Sequence, residues 1–304
     1  MTTDALQHLL DSQDGVVARR QLLDLGLRDS DIARLLRRRE LARVHPGVFV
    51  NQTGDLTWRR RAWAAVLYHW PSALCGASAL QAHHGTGLDV VDDRPIHVAI
   101  DERRRQRRRA GVRLYRVRRL SERIQVNRLP PRVSLEHAVV DLASAAPDEA
   151  AAVSVLADAC QSRRTTPSRL AETLRARSRT PRRHFLLTLL VDVATGAYSA
   201  LEHRYLTRVE RPHGLPTGSR QRRVTAGRSV AYRDVDYREH GVVVELDGRL
   251  GHEEQADRWA DMDRDIDAVV GGDVTLRAGW RQVLSPCRLA VAVGRLLVAR
   301  GWRG

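Results

Sequence analysis

The stretch Tyr232–His252, YRDVDYREHGVVVELDGRLGH, gathers side chains suited to chemistry. Val242-Val-Val-Glu-Leu-Asp247 is an apolar run that abruptly admits two carboxylates. Side chains alternate across a strand, so Val243, Glu245 and Asp247 share one face. Asp234 and Asp236 share a face of the preceding strand, and His240-Gly241 supplies the turn between the two. Such a hairpin brings several carboxylates together. Like charges in partial burial raise each other's pKa and cost stability, a conflict that a cation resolves. Carboxylate oxygens suit Mg²⁺ or Mn²⁺. Beside a phosphodiester, such an ion can activate water and stabilise the leaving oxygen. A plainer reading leaves Asp234 and Asp236 at a solvent-facing strand edge. It is weaker for Glu245 and Asp247, whose valine neighbours imply a buried strand.

An acid, a turn, and a hydrophobic strand ending in Glu-x-Asp-Gly with a following His resemble the PD-(D/E)xK nuclease superfamily. Within it, Val242, Val243, Glu245, Asp247, Gly248 and His252 are similar to the "V-V-x-E-x-D-G-x-x-x-H" strand of Vsr-like endonuclease-related proteins. The resemblance spans residues 196–304. It implies that Asp234 is the first-strand aspartate, with Asp236 the nearby alternative, and that Glu245 is the metal-binding acid. Ser199-Ala-Leu-Glu202 resembles the family's "S-x-x-E" helix, whose Glu joins the metal site. The implied ligands are therefore Asp234, Glu245 and Glu202, holding Mg²⁺ or Mn²⁺. Asp247 stands where related nucleases carry lysine. His252 is placed to assist proton transfer or bind phosphate, or is simply a surface histidine. Arg264-Asp265 is similar to an "R-D" pair, and Val274–Trp280 to the closing strand region, although no arginine completes that pattern before Ser285.

Several elements must hold these residues. A strand is expected over Val242–Asp247, a helix over 258–267, a strand near Val274, and an amphipathic helix from Ser285-Pro286 carrying Leu289, Val293, Leu296 and Leu297. That alternation implies a restriction-endonuclease-like α/β/α core. Upstream, residues 56–195 read as an arginine-rich mixture of strands and helices. Helices are expected over Trp58–Tyr68 and, from Ser72, to His83. Strands are expected over Ile96–Ile100, Val112–Val117 and Ile124–Leu129. The connection Asp101–Arg109, with six arginines, reads as a hairpin tip. Ser134 caps a further helix and another spans Asp148–Ala159. Thr166-Pro167 and Thr180-Pro181 each mark a helix start.

Residues 1–55 read as three short helices and a hairpin. Leu6, Leu9 and Leu10 mark the first helix, Val16–Leu25 the second, and Asp31–Arg39, capped by Ser30, the third. Leu41–Val44 and Val48–Val50 flank the turn His45-Pro46-Gly47. This is the pattern of a winged helix-turn-helix, whose third helix enters the major groove. Arg34, Arg37, Arg38, Arg39 and Arg43 then face phosphates and base edges. The segment GVVARRQLLDLGLRDSDIARLLRRRELARVHPGVFV resembles the N-terminal domain of AbiEi-type antitoxins, with the wing at Arg43–Phe49. That resemblance implies DNA as a partner and, beside it, a cognate toxin.

The chain has 304 residues, a net charge of +15, and 51 basic residues that are all arginine. The absence of lysine follows GC-rich codon usage. It excludes Schiff-base, P-loop and lysine-base chemistry. Placement is more telling than the total. Residues 101–230 hold 28 arginines against 12 acids, which suits a polyanionic partner, whereas residues 251–267 hold seven acids against two arginines. The three cysteines are scattered and include no C-x-x-C pair, which points to a reducing cytoplasm. No apolar run is long enough to span a membrane, and MTTDALQHLL does not read as a signal peptide. The expectation is an α/β protein of three regions, 1–55, 56–195 and 196–304, that binds DNA and carries a metal-dependent endonuclease site. The alternative is an AbiEi-like antitoxin or repressor whose nuclease-like domain serves binding alone.

Overall fold

A computed structural model describes residues 2–195, 199–226, 229–247 and 273–304. The chain is mixed α/β and divides into two compact units, Met1–Asp141 and Leu142–Gly304. The region expected over 56–195 is thus shared between the two. No helix among the described residues is long and apolar enough to cross a membrane.

The first unit opens with α1 (Thr2–Ser12), β1 (Val16–Ala18), α2 (Arg19–Asp24), α3 (Asp29–Arg37), β2 (Ala42–His45) and β3 (Val48–Val50). The strands form an antiparallel sheet in the order β1-β3-β2, the arrangement of a winged helix. The second helix, expected from Val16, starts only at Arg19. The β-branched pair Val16-Val17 instead pairs with Val50 and Phe49, where branched side chains pack well. α3 begins at Asp29, ahead of the expected Ser30 cap, because the Asp31 carboxylate accepts the Arg28 backbone N–H at 3.0 Å. Its end is Arg37, and Arg39 takes a left-handed φ of 59°.

α4 (Trp58–Tyr68) fills its expected span, with Thr57 Oγ1 accepting the Arg60 N–H. It is a wall between two sheets. Trp63, Ala64 and Leu67 pack with Val16, Ala18, Val48 and Val50. Trp58, Ala62, Ala65 and Val66 pack with Leu74, Ile96 and Val98 of the next sheet. The small alanines let backbones approach from both sides.

That next sheet comprises β4 (Ala73–Leu74), β5 (Ile96–Asp101), β6 (Val112–Val117), β7 (Ile124–Gln125) and β8 (Arg132–Val133), ordered β6-β5-β4-β8-β7. Two expectations fail here. Ser72 starts no helix: Ala73 and Leu74 are buried strand residues, and α5 spans Gly76–His84. Nor is Asp101–Arg109 a hairpin tip, since β5 and β6 run parallel from Ile96↔Val112 to Asp101↔Val117. The arginine-rich return is partly structural. Arg104 donates to the carbonyls of His69 (3.1 Å) and Trp70 (2.8 Å), and Arg109 lies over the Tyr68 ring. The strand expected to reach Leu129 stops at Gln125.

α6 (Leu135–Ala145) leads into the second unit, followed by α7 (Glu149–Gln161), α8 (Pro167–Arg175) and α9 (Arg183–Thr195). Asp148 and Thr166 cap α7 and α8 by accepting the N–H groups of Ala151 and Arg169. The Thr180-Pro181 signal falls short, because the helix begins at Arg183. α10 (Ser199–Arg204) runs on into a π-helical turn, Tyr205–Glu210. The sheet contains β9 (Ser219–Ala226), β10 (Ser229–Tyr237), β11 (Val242–Asp247) and β12 (Val274–Gly279), ordered β12-β11-β10-β9. β9, β10 and β11 are antiparallel neighbours, and β12 runs parallel to β11. A short helix, Trp280–Val283, and a longer one, Pro286–Ala299, close the chain, the latter burying Leu289, Val293 and Leu297. His252, the acidic run 251–267 with its expected helix, and Arg264-Asp265 lie outside the described residues.

Candidate carboxylate site

The β10–β11 ladder ends at Val235↔Val244. Beyond it Asp234 Oδ2 accepts the Leu246 backbone N–H at 2.8 Å, so a side-chain carboxylate takes over from a strand carbonyl. The other oxygen, Oδ1, accepts from Gln221 Nε2 at 3.2 Å, and the same amide donates to Glu202 Oε1 at 2.5 Å. One neutral side chain therefore ties α10, β9 and β10 together. Gln221 does this from a φ of 46°, a conformation that a side-chain-bearing residue adopts at a cost.

The electrostatics are unbalanced. Burial pushes the Glu202 carboxyl above its ordinary pKa, and the Asp234 charge adds to this; the Gln221 bond and Arg220 pull the other way. Burial likewise raises Asp234. The Leu246 N–H and Gln221 offset this in part, and Asp247 raises it further. Three acids from α10, β10 and β11 thus share one electrostatic neighbourhood.

Glu245 has its own cation. It lies in register with Arg277 on β12, whose Nε donates to Glu245 Oε2 at 3.2 Å. Asp236 is buried and ion-paired to Arg233, whose guanidinium also binds Asp273 at 2.6 Å. Of the two candidate first-strand acids, Asp234 joins Glu202 and Asp236 joins Arg233.

A second acid is buried close by in sequence, and its needs are met. Glu210 Oε2 accepts from the Tyr237 hydroxyl at 3.0 Å and pairs with Arg220 at 2.8 Å. The Tyr205 hydroxyl donates in turn to Tyr237 at 2.9 Å. Burial raises Tyr205 to about 12 and pushes Tyr237 up as well. This network packs the π-helical turn against the sheet and so fixes α10, which carries Glu202.

Among the described residues no three carboxylate, imidazole or thiol groups form a ready metal cage. The donor chemistry of Glu202 and Asp234 nevertheless fits a hard cation: both offer oxygen ligands, and each is raised in pKa by burial and by a neighbouring acid. The Gln221 amide bonds both carboxylates, and these two side chains are the residues that would hold such an ion.

In the first unit, Arg34, Arg37, Arg38 and Arg39 are exposed on and after α3, and Arg43 is exposed on β2. Arg34 pairs with Asp31 at 3.0 Å, and Arg38 lies 3.8 Å from Glu40. Nearby, Arg20 lies 5.1 Å from the centroid of the half-exposed Trp70 ring. Burial, with the charges of Arg109 and His69, lowers His45 of the wing to about 4, so it is neutral at ordinary pH.

Sequence reasoning missed Gln221, Arg277, Glu210 and Arg220. Each acts through cross-strand register or through packing of α10, and no local spacing signals either. Comparison with protein-family models and with curated proteins gives no match. Among solved structures, the chain is similar to the RV2827C protein from Mycobacterium tuberculosis, at 23% identity over 60% of this chain and 75% of that one, with a TM-score of 0.35.

Proposed function

We propose that this chain is a cytoplasmic DNA-binding protein whose C-terminal unit hydrolyses phosphodiester bonds with Mg²⁺ or Mn²⁺, as its Vsr-like resemblance implies. The observation that carries the reading is the shared Gln221 amide: Glu202 and Asp234 converge on it while burial and Asp247 hold their charge at a cost. Glu202 and Asp234 would hold the ion, with Glu245 beside them on the strand that bears Asp247. When bound, the ion supplies Lewis acidity and an activated water. Arg277 fixes the Glu245 carboxylate, and the Leu246 N–H fixes that of Asp234. His252 is the proposed proton carrier. Arg34, Arg37, Arg38, Arg39 and Arg43 would meet phosphates along the winged helix.

The test is cleavage of supercoiled plasmid with Mg²⁺ by the purified chain, compared with Asp234→Ala and Glu245→Ala. Loss of at least about a hundredfold in each is expected, on the scale of removing a positioned catalytic group. Equal residual activity in all three proteins would sink the nuclease.

A second reading, the AbiEi-like repressor with a cognate toxin and a silent C-terminal unit, is favoured by one observation: Glu245 is already neutralised by Arg277. It expects saturable, salt-sensitive binding to the chain's own promoter, lost on changing Arg37 and Arg38, without cleavage.

A further inference from the structure

The segment Glu102–Arg109, ERRRQRRR, connects the parallel strands β5 and β6 and has two faces. Arg104, Gln106 and Arg109 are half-buried, whereas Arg103, Arg105, Arg107 and Arg108 are exposed. The inward set is engaged. Arg104 donates to the carbonyls of His69, Trp70 and Pro71. Gln106 Oε1 meets His69 Nδ1 at 3.0 Å, and the Arg109 guanidinium carbon lies 5.2 Å from the Tyr68 ring centroid. The outward four guanidiniums have no partner among the described residues. Of the two acids at the start of the segment, Glu102 lies 3.7 Å from Arg118, and Asp101 accepts the Arg103 backbone N–H.

The inward contacts also tie this return to the wing. His45, the last residue of β2, places its ring 5.2 Å from the same Tyr68 ring that Arg109 covers. Arg20 of α2 lies over Trp70, whose carbonyl Arg104 holds. The four free guanidiniums therefore stand on a backbone anchored at several points beside the winged-helix elements. An anchored backbone has less freedom to lose on binding.

The composition of the outward face selects its partner. Residues 102–109 contain no apolar or aromatic side chain. A protein partner would need apolar or aromatic anchors, and a single strand would need rings on which bases stack. Trp70, the exposed ring nearby, already carries Arg20. Planar, permanently charged forks without such anchors match phosphate oxygens.

We propose that the outward face of the return, Arg103, Arg105, Arg107 and Arg108, is a second clamp on the phosphates of duplex DNA, extending the contact of the wing. The inference rests on the DNA-binding reading and deepens it. Phosphate contacts position a protein without reading sequence, so this clamp adds affinity and no specificity.

The experiment measures fluorescence anisotropy of short labelled duplexes of unrelated sequence, with the full chain, in EDTA, across a salt series. Changing all four arginines to Gln should lower the slope of log affinity against log salt by about 3–4, at about 0.9 per phosphate contact. It should weaken binding at least about a hundredfold at ~0.1 M salt, equally for every sequence. A charge-matched control changes the exposed Arg281, Arg288, Arg295 and Arg303 to Gln and should stay near wild type. Circular dichroism checks that each variant folds. A loss no larger than the control's overturns the proposal, since net charge alone would explain it. So does a loss confined to duplex RNA, or one confined to a single DNA sequence. Arg37→Gln with Arg38→Gln separates the two readings. If that variant weakens while the return variant matches wild type, the clamp alone falls. If the return variant weakens and that one does not, the clamp stands and the α3 contact falls. Absence of duplex binding by the wild type overturns both.

Discussion

Asp234 and Tyr237 stand three residues apart on one strand and serve opposite kinds of acid. Tyr237 serves Glu210, which is 2% exposed and is answered by a guanidinium, a hydroxyl and a backbone N–H. Asp234, beside Glu202 and Asp247, accepts from one backbone N–H and from an amide that it shares with Glu202. A buried acid whose charge is met is architecture. An acid grouped with other acids around a neutral donor carries a charge that those neighbours make costlier. The first arrangement holds α10 on the sheet, and the second uses that hold to bring Glu202 to Asp234.

The comparison breaks most decisively at Glu210. Glu210→Ala leaves Arg220 without its partner and should cost about 3–5 kcal/mol, read by urea denaturation. A loss under about 1 kcal/mol would mean that the buried network is not what holds α10. The converse holds across the strand. Saturating Mg²⁺ should stabilise the wild type, by about 2.7 kcal/mol at a hundred times its Kd, and should raise Tm. The double variant Glu202→Gln with Asp234→Asn should show no such gain, whereas Glu210→Gln should keep it. Equal gains in all three proteins would place the ion elsewhere.

The smallest effect is the most specific. Glu202 and Asp234 have raised pKa values in the fold, so the folded chain binds their protons more tightly than the unfolded chain does. Their ionisation costs stability in full above the folded pKa, and the cost is relieved as pH falls through it. Glu202→Gln should therefore be slightly more stable than wild type at pH 7. The margin is at most about 1 kcal/mol, discounted for partial exposure. It should close as pH drops toward about 4. Glu210→Gln should be less stable than wild type at pH 7. If both variants shift alike, the distinction between the two acids fails.

Part of this was legible in the sequence. The spans of α4, β6 and β11 follow from apolar periodicity, whereas the meeting of Glu202 and Asp234 at Gln221 is a fact of the fold. Strand β1 was hidden because Val16-Val-Ala precedes a helix without punctuation, and only its partners on β3 decide it. The parallel run of β5 and β6 was hidden because an arginine-rich return reads locally as a tip, while Arg104 spends its donors on carbonyls more than thirty residues away. Gln221 was invisible for a similar reason. A glutamine in a basic strand acquires meaning only when the register sets it beside Asp234 and α10 brings Glu202 to it.

The wall formed by α4 has a practical corollary for anyone cutting this chain. Ending the polypeptide at residue 55, where the winged-helix pattern stops, strips Trp63, Ala64 and Leu67 from Val16, Ala18, Val48 and Val50. That leaves a water-facing apolar sheet surface of the sort that promotes aggregation. An N-terminal fragment should instead run past Asp141, where the first unit ends, to the close of α6 at Ala145. DNA binding assayed on a shorter piece would report on a damaged surface.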